Sequence, residues 1–402
     1  MHPEKIRSTF IEFFVDRDHR RVEGSGLIPP DLNDPVLLVT SGMHPLTRYI
    51  EGTPHPLGDR LVGSQRCVRT TDLDEVGDDS HLTLFEMLGS WSLGSYSHEQ
   101  SLRWGYELIT EGYGLSPDVL GVSVFGGSDD VPPDDSSLHV WRDLGIPDGR
   151  IARLESNNWW SNGPTGLCGP DSELFVWTGS GEPTGRPGVD DRWLEVWNHV
   201  SMTYSRDGNG RLHELPRRCV DTGLGFERLV GVLEGVDSVW DSSLWRPWTD
   251  RLGKLWGLDG VGLRISCDHL RAVITLIGDG VTPGNTGRGY VVRRLIRRVL
   301  RTVRGGQSHG SLRQLPLELV EHTLRWFGLR SVHPDRVVRV LRDEEMRYDL
   351  TLDRGRREVS RLLRRGGIGE SEYTWLWDTH GLPREIVDEV LATADRTPAS
   401  LP

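Results

Sequence analysis

The chain has 402 residues, enough for two or three domains at roughly 100–200 residues each. With 36% hydrophobic and 26% charged residues, the composition excludes wholesale disorder, and no apolar run approaches the roughly 18–20 residues a bilayer-spanning helix needs. A formal net charge of −12 excludes a protein that coats nucleic acid indiscriminately, although a net value conceals local patches. Cys67, Cys168, Cys219 and Cys267 are widely spaced, so neither a zinc site nor a disulfide framework is indicated, and a reduced cytoplasmic compartment is expected. Lys5 and Lys254 are the only lysines. This bias fits a GC-rich coding sequence, and arginine also makes the better forked phosphate contacts.

The opening segment Pro3–Val15 places Ile6, Phe10, Phe13 and Phe14 at helical spacing. A proline-punctuated loop over 29–35 leads to Val36–Val39, expected to be a short buried strand. From Val62 to Gly94 the pattern is strand-like at both ends around an acidic turn. Trp193–Tyr204 alternates like a strand, and RDGNG at 206–210 is a hairpin turn leading to a further strand. From about Leu244 the character changes: His269–Ile277, Val291–Val303, Leu315–Trp326, Val337–Arg365 and Arg384–Ala392 show helical periodicity. The expectation is an α+β domain over 1–243, built on a largely antiparallel sheet, followed by a mostly helical domain over 244–402.

Four segments carry candidate chemistry. SQRCVR (64–69) ends a strand on Arg69, and HLTLFEMLG (81–89) can return beside it, bringing Phe85 near. NNWWSNGPTGLCGP (157–170) is expected to be a glycine-rich loop after two tryptophans. DTGLGFERL (221–229) joins Asp221, Gly223 and Gly225 to Arg228. Guanidinium groups offer bidentate, charge-assisted bonds to phosphate, and glycine lets a ligand approach the backbone. Each segment alone also has a bland reading. Asp221 could be a helix N-cap, Trp159 and Trp160 core residues, and Phe85 an ordinary strand residue. Neither GxGxxG nor GxxxxGK[ST] is present at these segments, so a nucleotide site here would not be a Rossmann or P-loop site.

Taken in order, the segments settle the matter differently. With LLVTSGMHPLTRYIEG, RWLEVWNHVSM, DHLRAVITLIGDGVTPGNTGRGYVVRRLIRRVLR, LRDEEMRYDLTLDRG and WDTHGLPREI, they run collinearly through nearly the whole chain. In these motifs the chain resembles the N-terminal half of the alanyl-tRNA synthetases, a family of class II aminoacyl-tRNA synthetases. The resemblance implies a class II antiparallel sheet flanked by helices, and ATP with Mg2+ as cofactors. It implies that Arg69 binds the α-phosphate and Phe85 stacks on adenine. Arg228 would cover the other adenine face and reach the γ-phosphate, with Gly225 in the same ATP-binding segment. Asp221 would hold the substrate ammonium group, Trp160, Val200 and Gly223 would wall a pocket for one methyl group, and Asn198 would contact the amino acid. Glu195 is the candidate magnesium ligand.

The same resemblance implies recognition of a tRNA(Ala) acceptor stem. Asn285 and Asp378 occupy the places that read a G·U pair from the minor groove, which in A-form RNA is wide and exposes base edges. By themselves, Asn285 could be a turn residue and Asp378 a helix cap. The stretch 286–304 carries seven arginines, among them Arg288, Arg293 and Arg297, around an apolar stripe of Val292, Leu295, Ile296, Val299 and Val303. That is either a phosphate footprint or the solvated face of an ordinary amphipathic helix.

Departures from the family pattern sit at Ser95 and His98 in GSWSLGSYSH, at Asp171 in CGPD and at Ser201 in VSM. No HxxxH motif with a downstream Cys and His is present, so the resemblance implies a chain without the editing and C-terminal domains, and a monomer is expected. Three functions are compatible at this level. The favoured one is ATP-dependent activation of alanine with transfer to tRNA(Ala). The second transfers alanine, or a similar small amino acid, to a small-molecule or carrier acceptor. A non-catalytic paralogue would predict damage at Arg69, Asp221 or Arg228, and none is present.

Overall fold

The computed structural model describes residues 1–29, 36–305, 310–365, 367–380 and 382–394, and forms two compact units, Met1–Asp279 and Gly280–Pro402. Most of the loop expected at 29–35 lies outside the described residues. Among them, no helix is long and apolar enough to cross a membrane.

The first unit opens with α1 (Pro3–Val15), which buries Ile6, Phe10 and Phe14, then β1 (Arg20–Val22) and the short helix α2 (Thr47–Ile50). Next come β2 (Arg60–Val68), β3 (Leu84–Ser92), α3 (His98–Glu107), β4 (Leu120–Phe125) and α4 (Asp135–Asp143). β5 (Ile151–Leu154), β6 (Trp159–Ser161), β7 (Gly166–Trp177), β8 (Trp193–Arg206) and β9 (Leu212–Gly225) follow. The unit closes with α5 (Phe226–Glu234), α6 (Arg246–Trp256) and α7 (Gly260–Gly278). The division expected at 243/244 therefore falls inside this unit, where α6 and α7 belong with the sheet.

The strands form one sheet in the order β1-β2-β3-β9-β8-β7-β4-β5, with β6 paired to β7. Its central pairs are antiparallel, and among the described residues parallel pairing is confined to β1 with β2 and β4 with β5. The α+β expectation and the helix-flanked antiparallel sheet hold. One sheet face carries Trp197 and His199. Trp197 packs on Phe10 with ring centroids 5.4 Å apart, and His199 meets Ser101 of α3 at 2.9 Å. The alternating residues face the other way, because side chains on a strand alternate with period two.

Two local expectations and one bland alternative do not hold. Val36–Val39 is not a strand: Leu38 and Val39 are buried but Leu37 is 49% exposed, and Val39 contributes isolated backbone bonds to Leu27 and Val68. The segment 157–170 is not a glycine-rich loop but most of a hairpin, in which Trp160 pairs with Gly169 and Ser161 with Cys168. Asp221 caps no helix, since it lies within β9 opposite Val200.

The second unit contains α8 (Gly287–Arg304), α9 (Leu317–Trp326), α10 (Pro334–Leu363), α11 (Glu370–His380) and α12 (Arg384–Ala394). The apolar stripe of α8 is buried throughout, with Val292, Ile296, Val299 and Val303 fully inaccessible. α11 had no counterpart in the sequence pattern. Leu376 is its buried residue among those described, so it offers no apolar period to read.

A buried ion pair ties α5 to α7. Arg271 Nη2 lies 2.7 Å from Glu227 Oε1, with side chains 8% and 2% exposed, and Glu227 also accepts the Glu86 amide at 3.0 Å. Removing one member of such a pair strands a buried charge. Arg271→Ala is expected to destabilise the first unit by about 3 kcal/mol, read as a lowered unfolding midpoint in urea.

Candidate active site

The register of β3, β9, β8 and β7 builds the site. Trp91 pairs with Asp221, Asp221 with Val200, and Val200 with Asp171. In the next row Gly223 pairs with Asn198 and Asn198 with Glu173. Directly paired residues, and residues two apart on one strand, share a face, so all of these point to the same side. Asp221, Val200, Gly223, Asn198 and Glu173 border a cavity of about 220 Å³ that also takes in Ser41, Arg69, His81, Phe85, Met87, Trp160, Glu195, Gly225 and Arg228, with Trp91 and Asp171 behind its wall. Every candidate residue read from the first unit is thus brought to one place.

Arg69 stands just beyond β2 and continues its ladder, donating its amide to the Thr83 carbonyl at 3.0 Å. Its guanidinium lies over the Phe85 ring, 5.1 Å from the centroid, a cation–π contact. Across the cavity, Arg228 Nη1 meets Glu195 Oε2 at 3.0 Å and donates to the Glu195 carbonyl at the same distance. Glu195 reaches this face through an irregularity. The β7–β8 register slips between Leu174 and Phe175, and a bulge re-aims the side chains beyond it. Otherwise Glu195 would share the face of Trp197, two residues on.

Asp221 is 4% exposed and accepts a hydrogen bond from Trp91 Nε1 at 2.6 Å. Burial pushes its carboxyl up to about 7, and the Trp91 bond opposes that rise by stabilising the ionised form. Trp91 reaches Asp221 by folding back over bare backbone. A Cβ on Gly89 would sit 2.3 Å from Trp91 Cζ2, so that position admits no side chain without displacing the indole. Gly223 is in close contact with a softer neighbour, since a Cβ there would stand 2.7 Å from Met87 Sδ on a flexible side chain.

Behind Asn198 lies a buried polar network. Asn198 Nδ2 donates to Asp171 Oδ2 at 3.3 Å, while Asn158 Nδ2 donates to Asp171 Oδ1 and Ser123 Oγ, each at 2.8 Å. Burial raises both Asp171 and Glu173 and the charge of Glu195 adds to each rise; the two asparagines bonded to Asp171 counter it there, and Ser123 and Asn158, donating to Glu173 at 2.9 and 3.3 Å, counter it at Glu173. The other departures from the family pattern lie elsewhere. Ser95 accepts from Arg60 Nε at 2.9 Å. His98 contacts the His199 carbonyl and Ser137 Oγ at 3.1 and 3.2 Å. Ser201 bonds Thr203 at 3.1 Å. Asp171 differs from these three in hydrogen-bonding a residue that lines the cavity, Asn198.

Trp91, Glu173 and His81 escaped sequence reasoning. Trp91 had a usable signal, since Phe85, Met87, Gly89 and Trp91 share one face of β3 by period two. Glu173 follows from Asp171 in the same way. Among the described residues, no group of three or more His, Cys, Asp or Glu side chains could hold a metal ion. Cys67, Cys168, Cys219 and Cys267 are free thiols, each buried. Glu195, the sequence candidate for magnesium, lines the cavity with 36% of its side chain exposed; magnesium usually takes one or two carboxylates and fills its shell with substrate phosphates.

In the second unit Asn285 and Asp378 are exposed, Asn285 just before α8 and Asp378 within α11 rather than at a cap. Arg293 and Arg297 are 15% and 18% exposed, and both contact the fully buried Glu344 of α10, at 2.9 and 3.1 Å. Arg304 pairs with Glu345 and Asp349, each at 2.7 Å. Arg288 is half-buried near the start of α8.

An antiparallel sheet with two cavity arginines, one at the end of β2 and one where β9 passes into α5, is the catalytic fold of a class II aminoacyl-tRNA synthetase. The sequence model of the tRNA synthetases class II (A) matches residues 5–397, and the chain belongs to that family. The alanine–tRNA ligase of Treponema pallidum is 40% identical over 416 residues, covering 96% of this chain and 68% of that protein. That of Borrelia hermsii is 39% identical over 411 residues, covering 97% and 69%. The Rubrobacter xylanophilus enzyme is 39% identical over 419 residues, covering 98% of this chain and 47% of that longer protein.

The Asp221 environment gives a pH prediction. Protonation below about 7 removes the charge that would hold a substrate ammonium, so kcat/KM for the amino acid should fall as pH drops through that value. Trp91→Phe removes the hydrogen bond that favours the ionised form, and the acid limb of the profile should move to higher pH. Amino-acid-dependent ATP–pyrophosphate exchange between pH 5.5 and 8.5 measures both.

Proposed function

We propose that the chain activates alanine with ATP and transfers the alanyl group to the 3′ end of tRNA(Ala). The observation that carries this reading is the enclosure of Asp221, Val200, Gly223, Arg69 and Arg228 around one cavity. Alanine's ammonium meets the Asp221 carboxylate. Its methyl group meets Val200 and Trp160 over Gly223, whose bare backbone packs against Met87. Asn198 contacts the amino acid alongside.

ATP places its adenine on Phe85 and its α-phosphate at Arg69, with Arg228 at the other adenine face and the γ-phosphate and Gly225 beside it. The alanine carboxylate oxygen attacks the α-phosphorus in line. The bond to the bridging oxygen breaks, and pyrophosphate leaves with the electron pair. Arg69 stabilises the charge that builds on the α-phosphoryl oxygens, and positioning supplies the rest. When bound, magnesium neutralises phosphate charge, with Glu195 as its protein carboxylate. In the second step a ribose hydroxyl of the tRNA terminus attacks the alanyl carbonyl, the mixed anhydride opens, and AMP departs carrying the proton equivalent.

The helical second unit, Gly280–Pro402, supplies acceptor recognition. Asp378, an acceptor-only carboxylate, suits the guanine 2-amino group in the minor groove, and the Asn285 amide suits the acceptors beside it. Arg288 offers charge to backbone phosphate. A monomeric, cytoplasmic enzyme fits this reading.

Charging of deacylated tRNA with labelled alanine, with alanine-dependent pyrophosphate exchange in the same preparation, is the test. Charging that collapses when the acceptor-stem G·U pair becomes G·C is the expected result. Robust exchange without charging would overturn the tRNA acceptor and point to a small-molecule or carrier amine. Arg69→Ala should lower exchange by about 100-fold or more, as removal of a charge-stabilising donor does.

A further inference from the structure

The arginine stripe of α8 is not uniformly turned to solvent. Arg293, Arg297 and Arg304 recur on one side of the helix by its 3.6-residue period, and that side faces the acids of α10. Glu344 is fully buried and contacts Arg293 at 2.9 Å, Arg297 at 3.1 Å and Arg347 at 3.8 Å. A buried carboxylate holds its guanidinium partners firmly, because releasing them would leave its charge uncompensated.

Arg293 also reaches the other way. Its Nη1 donates to Asn285 Oδ1. Guanidinium has only donors, so the amide must turn its oxygen to Arg293, and its NH2 is left for other partners. The adjoining backbone is pinned as well: Gly284 donates to the Gly289 carbonyl at 2.8 Å and Tyr290 to the Thr286 carbonyl at 3.2 Å.

We propose that Arg293, anchored on buried Glu344, is a positioning residue that fixes the Asn285 amide with its NH2 presented, and so determines which acceptor-stem base pair is accepted rather than how tightly phosphate is held. The inference rests on the tRNA reading above. It assigns Glu344, on a helix with no role in that reading, to specificity through Arg293. A phosphate ligand and an amide positioner differ in what they change. The first weakens binding of all sequences alike and contributes to the salt dependence, whereas the second alters discrimination between base pairs.

The experiment measures kcat/KM for alanylation of acceptor-stem minihelices carrying G·U or G·C, as a function of salt. It uses the full chain as wild type, Arg293→Gln, Arg293→Lys, Asn285→Ala and the Asn285→Ala/Arg293→Gln double variant. Thermal unfolding checks that each variant is folded. Arg293→Gln should reduce G·U over G·C discrimination by about tenfold, the order expected for a lost base contact, with the salt slope on the G·U helix unchanged. Lysine keeps the charge but lacks the planar fork that spans Glu344 and Asn285, so Arg293→Lys should not restore discrimination. In the Asn285→Ala background the Arg293 change should add no further loss, because both act through one amide.

Equal loss on both helices with a shallower salt slope, rescue by lysine, or additive losses would each overturn the proposal. If Arg293→Gln does not fold, Arg293→Lys and Glu344→Gln carry the same comparison. A wild type that charges neither minihelix, while exchanging pyrophosphate with alanine, refutes the tRNA reading itself and this inference with it. A wild type that discriminates, beside variants that discriminate equally, refutes the inference alone.

Discussion

Everything at the cavity depends on the register of four antiparallel strands. A shift of one residue in β9 against β8 would turn Asp221, Gly223 and Gly225 to the helix-packed face, since side chains alternate with period two. That register is held from behind. Thr222 Oγ1 takes the Ser90 amide at 3.1 Å and meets its hydroxyl at 2.9 Å, while Trp197 packs on Phe10 and Phe14. The polar residues of the cavity are therefore positioned by contacts on the opposite side of the sheet.

The electrostatics follow from the same geometry. Asp221, Asp171 and Glu173 are carried into low-dielectric surroundings by rows of backbone pairing, and burial raises all three. A folded-state pKa raised above the unfolded value means that the native state binds the proton more tightly, so Asp221 costs stability as pH rises from about 4 towards 7. A bound ammonium would offset that cost by favouring the ionised form. The Glu195–Arg228 pair behaves differently, because at 36% and 22% side-chain exposure solvent screens it and either partner can exchange it for a ligand.

The second unit repeats the theme with helices. Seven arginines in one stretch read as a basic surface in one dimension. In the folded unit the side of α8 carrying Arg293, Arg297 and Arg304 is matched against Glu344, Glu345 and Asp349. The net charge of this region is therefore a poor guide to where a polyanion would be met. Burying a carboxylate beneath guanidinium groups orders them, and an ordered guanidinium can orient a neighbouring amide as Arg293 does Asn285.

Much of this was legible in the residues. Apolar period placed α1, α7, α8, α9, α10 and α12, alternation placed β2, β3 and β8, and the collinear motifs singled out Arg69, Phe85, Asp221 and Arg228, which the fold brings to one cavity. These succeed because local period and motif spacing are properties of neighbouring residues. The misses share one cause. Val36–Val39 looked like a strand because it is apolar, but a strand also requires a partner along its length. The glycines of 157–170 suggested a loop, although Gly169 lies on β7, where a Cβ would stand 1.9 Å from the Ser201 carbonyl. The bulge that turns Glu195 into the cavity, the indole that reaches Asp221 and the α10 acids that hold the α8 arginines all join residues distant in sequence. The residue order determined which side chains were available and how each segment would coil or extend. Tertiary pairing alone decided which face each occupied, because register and packing partners are set between segments and not within them.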